Sequence, residues 1–165
     1  MGSIKNNIAF LCLSNNYAKY LGKKFADNLD MFFANISDIL EYNLINGDML
    51  ETAGKEYFDA QQERVIGSVC QYENTIICGT FEILINNVDR LKNNSLVVYL
   101  KLDKKTIEKY EKDDKNSKFL IKEITFEQED KLCNDCADIV INIADNDNQN
   151  IEAIKNSIIN YYKEN

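Results

Sequence analysis

The stretch NNIAFLCLSNNYAKYLGKKFADNLDMFFANISDILE, Asn6 to Glu41, decides the fold. Within it, residues 8–13 (IAFLCL) form an unbroken apolar run, as expected for a strand buried on both faces of a parallel sheet. From Tyr17 onward, apolar residues recur at Leu21, Phe25 and Leu29 with helical spacing. MFFANI (31–36) reads as a second strand, and SDILEYNLI (37–45) as a helix with Ser37 as its N-cap. Strand, loop, helix, strand is how a wound α/β sheet begins. The loop of this one, CLSNNYAK, holds no glycine.

The same alternation continues along the chain. Residues 50–71 read as one polar helix with apolar positions at Tyr57, Phe58, Val65, Ile66 and Val69. TIICG (75–79) is a third strand, EILINNVDRLKNN (82–94) a helix and LVVYLKL (96–102) a fourth strand. DKKTIEKYEKDDKN (103–116) is a charged helix, and 115–131 is the most polar and least patterned segment. ADIVINI (137–143) gives a fifth strand, and NIEAIKNSIINYYKE (150–164) a closing amphipathic helix. This pattern predicts a three-layer α/β sandwich on a five-stranded parallel sheet, with one domain over residues 1–165. In such folds ligands meet the carboxyl ends of the strands. The informative positions are therefore 12–19, 35–38, 78–82 and the loop after the fourth strand.

Composition narrows the chemistry. A net charge of −8 argues against nucleic acid and against anionic membrane surfaces as partners. No apolar run approaches the roughly 20 residues of a spanning helix. The five cysteines, Cys12, Cys70, Cys78, Cys133 and Cys136, are an odd set that points to reduced thiols in a cytoplasm. There is no histidine, so serine–histidine and cysteine–histidine catalysis within the chain are excluded.

Several stretches together resemble shikimate kinases, small P-loop kinases that move the γ-phosphate of ATP to a hydroxyl of shikimate. LGKKFADNLDMFF is similar to the family segment that follows the P-loop. AGKEYFDAQQE is similar to its G-E-x-x-F-R-x-x-E, keeping Gly54 and Phe58. NNSLVVYLKLDKKTIEKY and KLCNDCADIVINI resemble its fourth strand with the following helix and its fifth-strand region. The resemblance implies the P-loop kinase architecture. It also implies which positions once held ligands, and these do not carry the family's residues.

By the spacing to Gly22, the three glycines of G-x-x-G-x-G-K-S-T fall on Cys12, Asn15 and Tyr17, with Asn16 between them. The phosphate-binding lysine falls on Ala18 and the magnesium-binding hydroxyl on Lys19. The Asp-x-Asp after the second strand falls on Asn35 and Ser37. The arginine that grips the shikimate carboxylate falls on Asp59, and a second one on Glu129. The lid arginine falls on Ser117, in a vestigial lid of about 113–128, and an arginine near the adenine falls on Tyr110. Of the three glycines after the third strand, Gly79 remains, followed by Thr80 and Phe81. Each charge-assisted contact to phosphate or carboxylate contributes roughly 1.5–3 kcal/mol, so these losses imply weak binding of both substrates.

The resulting expectation is a pseudoenzyme that keeps the kinase fold, binds no ATP or magnesium, uses no other metal, and acts as a binding or regulatory module. Its partner would be an unidentified protein or small ligand, and the chain a monomer or weak dimer. Two alternatives stand beside it. One is an active kinase with relocated phosphate contacts. The other is a thiol-based redox or sensor protein using Cys12 with Cys78, or the Cys133-x-x-Cys136 pair. Cys12 and Cys78 end strands that should be neighbours, and small apolar side chains filling a vacated pocket are the favoured account of them. Tyr17, Phe81 and Tyr110 are expected to crowd the former nucleotide site. The acidic run EKYEKDDKN and the segment ADNDNQN read as solvated surface and loop.

Overall fold

A computed structural model describes residues 5–112 and 125–165. Five strands, β1 (Asn7–Leu11), β2 (Phe32–Asn35), β3 (Thr75–Cys78), β4 (Ser95–Lys101) and β5 (Ile139–Asn142), form one sheet in the order β2-β3-β1-β4-β5. Every pairing is parallel, with Ile8 opposite Ile76 and Leu96, and Val98 opposite Ile139. The expected five-stranded parallel sheet is therefore present. The central strands carry continuous apolar runs because helices cover both of their faces.

Side-chain alternation sorts the core into two layers. Phe10, Cys12, Ile76, Cys78, Val98 and Leu100 face α1 (Asn15–Leu29), α7 (Lys104–Glu111) and α9 (Asp147–Glu164). Ala9, Leu11, Ile77, Val97 and Tyr99 face the opposite layer. That layer holds α2 (Ile36–Tyr42), α3 (Gly47–Ala53), α4 (Lys55–Val69), α5 (Phe81–Asn86), α6 (Val88–Lys92) and α8 (Phe126–Cys136). Gly22 lets α1 lie close to the sheet. A Cβ there would stand 2.8 Å from Phe33 Cε2 and 3.0 Å from Cys78 Sγ.

Several boundaries differ from the sequence reading. Helix 50–71 is two helices, because Gly54 adopts φ +89 between α3 and α4. Helix 82–94 breaks at Asn87 into α5 and α6. The N-cap of α2 is Asn35, whose side chain accepts from Asp38 N–H, and not Ser37. The polar stretch before the fifth strand contains α8, opened by a capping box in which Thr125 and Gln128 exchange hydrogen bonds.

Candidate functional site

The carboxyl ends of β1, β2 and β3 meet the first turn of α1. Between Leu11 and Asn15 the connection is only Cys12, Leu13 and Ser14. Ser14 is the N-cap: it is extended, fully buried, and its Oγ accepts from Tyr17 N–H at 3.1 Å. A helix start leaves amide donors without intrahelical partners and carries partial positive charge, so it attracts an anion. Here the anion is the chain's own. The Glu111 carboxylate, at the end of α7, accepts from the Ser14 hydroxyl at 2.5 Å and from Asn16 N–H at 3.3 Å. The Asn16 side-chain amide donates to its second oxygen at 3.4 Å and to Tyr110 O at 2.9 Å. The acidic run containing Glu111, expected to be solvated, thus contributes a carboxylate to the centre of the site.

The neighbouring candidate residues are bound to one another. Asn35 is buried, and its amide donates to Asn15 Oδ1 at 2.8 Å, which ties the end of β2 to the start of α1. Ser37 Oγ accepts from Thr80 N–H at 3.0 Å. Lys19 points outward to Asp38, with a 2.9 Å ion pair at the surface. Ala18 O accepts from the Cys78 thiol at 3.4 Å. Gly79 has ordinary van der Waals space beside Leu84 and Ile36.

Tyr17 is 3% exposed and fills the space over the first turn of α1. Its ring meets Tyr110 edge-on at 5.1 Å, and Tyr20 packs on both, at 6.4 and 6.3 Å. The Tyr17 hydroxyl accepts from buried Asn150 at 3.4 Å, and Asn150 also closes the turn at Ala144. Asp147 accepts from Tyr20 at 2.6 Å and pairs with Lys24 at 2.9 Å; these two contacts hold its carboxyl below the usual range. Segment 144–150 was expected to be a solvated loop. Instead Asn146 caps α9, and Asp147 and Asn150 bind the α1 layer.

The structure therefore brings together Cys12, Asn15, Asn16, Tyr17, Ala18, Asn35, Ser37, Thr80 and Tyr110. It separates others. Phe81 packs in the opposite core layer with Leu11, Tyr99 and Cys133 and does not join Tyr17 and Tyr110, because α5 lies across the sheet from α1. Asp59 sits on the surface of α4, ion-paired with Lys55. Glu129 is buried in the first turn of α8, a position that favours a carboxylate. Ser117 and most of the 113–128 segment lie outside the described residues.

All five cysteines are free thiols. Cys12 and Cys78 do share one core layer. Burial pushes the Cys12 thiol up to about 12, and burial likewise raises Cys78 and Cys133. The Cys133–Cys136 pair forms the last turn of α8, where the helix dipole opposes a thiolate. Among the described residues, no group of three or more Asp, Glu, Cys or His side chains is placed to hold a metal ion. The residues at the start of α1 do not fit a magnesium–nucleotide either. The donors at Asn16 and Ser14 bind a carboxylate, the nearby Lys19 is paired outward, and Tyr17 fills the space.

Comparisons with known proteins give the same picture of the fold. The family model for shikimate kinase matches residues 19–162, beginning just after the β1–α1 connection. No curated protein matches. The chain is similar in structure to the shikimate kinase of Aquifex aeolicus, with a TM-score of 0.74 at 16% identity over 93% of this chain and 96% of that one. The shikimate kinase of Acinetobacter baumannii, solved in complex with shikimate, gives 0.72 at 16% identity over 94% of each chain. That of Bacteroides thetaiotaomicron gives 0.68 at 14% over 93% and 98%.

Proposed function

The chain belongs to the shikimate kinase family, and from that premise we propose that it is a pseudoenzyme, a member that has given up ATP-dependent phosphoryl transfer and serves as a binding or regulatory module. One observation carries this reading: the Glu111 carboxylate takes the donors of Ser14 and Asn16 at the start of α1. A nucleotide phosphate would need those same donors, and it would have to displace a tethered anion to reach them. Phosphoryl transfer depends almost wholly on positioning and on cationic stabilisation of the phosphates. The expected lysine position is Ala18, which is buried, and Asp59 and Glu129 stand where the resemblance places substrate-binding arginines.

On this reading the chain uses neither ATP nor magnesium, is a monomer or weak dimer in the cytoplasm, and has a protein or a small ligand as its partner. Among the described residues no helix is long and apolar enough to cross a membrane. The family fold over nearly the whole chain supports a second reading, an active small-molecule kinase that reaches ATP through other contacts. The thiol-redox reading has less support, because Cys12, Cys78 and Cys133 are buried with raised thiols, so that each pair has at least one inaccessible member. A coupled ADP-release assay with shikimate and related hydroxy acids separates the readings. No turnover above the protein-free rate is expected, and saturable, shikimate-dependent ADP release would replace the first reading by the second.

A further inference from the structure

The helical layer α2 to α4 carries an apolar tip set in acidic surface. Tyr42 is 88% exposed and Leu44 69%, at the end of α2. Leu44 adopts φ 59, the left-handed region that disfavours a bulky L side chain. The turn is a Schellman cap: Leu44 N–H donates to Glu41 O at 3.0 Å and Ile45 N–H to Leu40 O at 2.9 Å. Glycine or asparagine ordinarily takes that position. The other non-glycine residues with positive φ among those described, Asp30 and Asn74, are types that tolerate it. The cap's own apolar contact is made by buried Leu40 and Ile45. Leu44 therefore holds a disfavoured backbone conformation while its side chain points into water. The cap's hydrogen bonds and its Leu40–Ile45 contact do not use the Leu44 side chain, so among the described residues its apolar exposure serves no packing role, and an outlier of this kind points to a function outside the fold.

The charge around the tip identifies what fits there. Residues 36–69 hold seven carboxylates and two cations, Lys55 and Arg64, and Lys19 and Arg90 from outside the segment pair with Asp38 and Glu63, so the surface keeps a net negative charge. Asp48, Glu51 and Glu56 form no ion pair among the described residues. A second copy would bring the same negative field against itself, and an anionic membrane would be repelled. A basic segment with apolar side chains on one face satisfies both features at once. We propose that the α2–α3 corner around Tyr42 and Leu44 is a docking site for a basic amphipathic helix of another protein. This deepens the binding-module reading by naming the partner's chemistry, and it rests on that reading.

The test uses the full chain and a fluorescein-labelled amphipathic Lys/Leu helix, followed by anisotropy at physiological salt. Saturable binding is expected, with no binding of the corresponding Glu/Leu helix. Leu44→Asn suits the left-handed cap, so it should raise the melting temperature while weakening the probe at least about tenfold. Glu51→Lys with Glu56→Lys should weaken it similarly. Equal binding by wild type and Leu44→Asn would overturn the proposal, leaving generic charge attraction. So would wild-type self-association in sedimentation that Leu44→Asn abolishes, because a second copy would then be the occupant. Nucleotide calorimetry is an independent readout: a silent nucleotide titration with a failed probe removes only the proposed partner, whereas nucleotide binding removes the reading beneath it.

Discussion

Replacing Glu111 by alanine probes the closed loop directly. The carboxylate makes a short bond to the buried Ser14 hydroxyl and longer ones to the Asn16 backbone and side chain. A charge-assisted bond contributes about 1.5–3 kcal/mol when well formed, and a carboxylate at a helix N-terminus about 0.3–1 kcal/mol. Glu111 is half-buried, so solvent screens part of this, and a net loss of about 2 kcal/mol is expected. For a chain of this size that lowers the melting temperature by about 4–8 °C. Glu108→Ala, exposed on the same helix, controls for the change in helix propensity. Far-UV circular dichroism melts provide the measurement. A second arm uses inorganic phosphate. In Glu111→Ala the donors at Ser14 and Asn16 are vacated, so phosphate should restore part of the lost stability and leave wild type unchanged. If Glu111→Ala melts within about 1 °C of Glu108→Ala, or phosphate shifts wild type and variant equally, the carboxylate does not close an anion site.

Two further outcomes follow from the packing. In the native protein at pH 8, iodoacetamide should leave Cys12, Cys78 and Cys133 unmodified by mass spectrometry, because all three are buried and their thiols raised, while half-buried Cys70 and Cys136 react first; fast labelling of Cys12 or Cys78 would revive the redox reading. Gly22→Ala gains about 1 kcal/mol of helix propensity but forces a methyl within 3.0 Å of Cys78 Sγ and closer still to Phe33; overpacking of about 1–3 kcal/mol should win, giving a lower melting temperature, whereas a higher one would mean that α1 shifts freely on the sheet.

The apolar runs at 8–13 and 96–102 made the sheet legible, because strands buried on both faces leave an unbroken hydrophobic signal. Helix breaks were harder to see. Gly54 and Asn87 interrupt helical periodicity without a proline, and tertiary packing decides whether such a residue bends or ends a helix. The capping box at Thr125 and Gln128 was a readable signal for α8, masked by the polarity around it. For α2, both Asn35 and Ser37 are good caps, and choosing between them needed the partners each one meets. The central feature of the site was the least legible. Glu111 lies 95 residues from Asn16 in the chain, and in a charged helix nothing local distinguishes a carboxylate that packs inward from one that faces water. The tyrosines were half legible: Tyr17 and Tyr110 do meet, whereas Phe81 was misplaced because its distance in sequence from the site conceals which face of the sheet it covers.

Titration calorimetry of the wild-type protein with ATP–magnesium, followed by shikimate, tests the central claim most directly. The account predicts no binding heat for either at millimolar ligand, because the start of α1 already holds its own anion. Micromolar binding of ATP, with a stoichiometry near one, would contradict it and return the chain to the working kinases of its family.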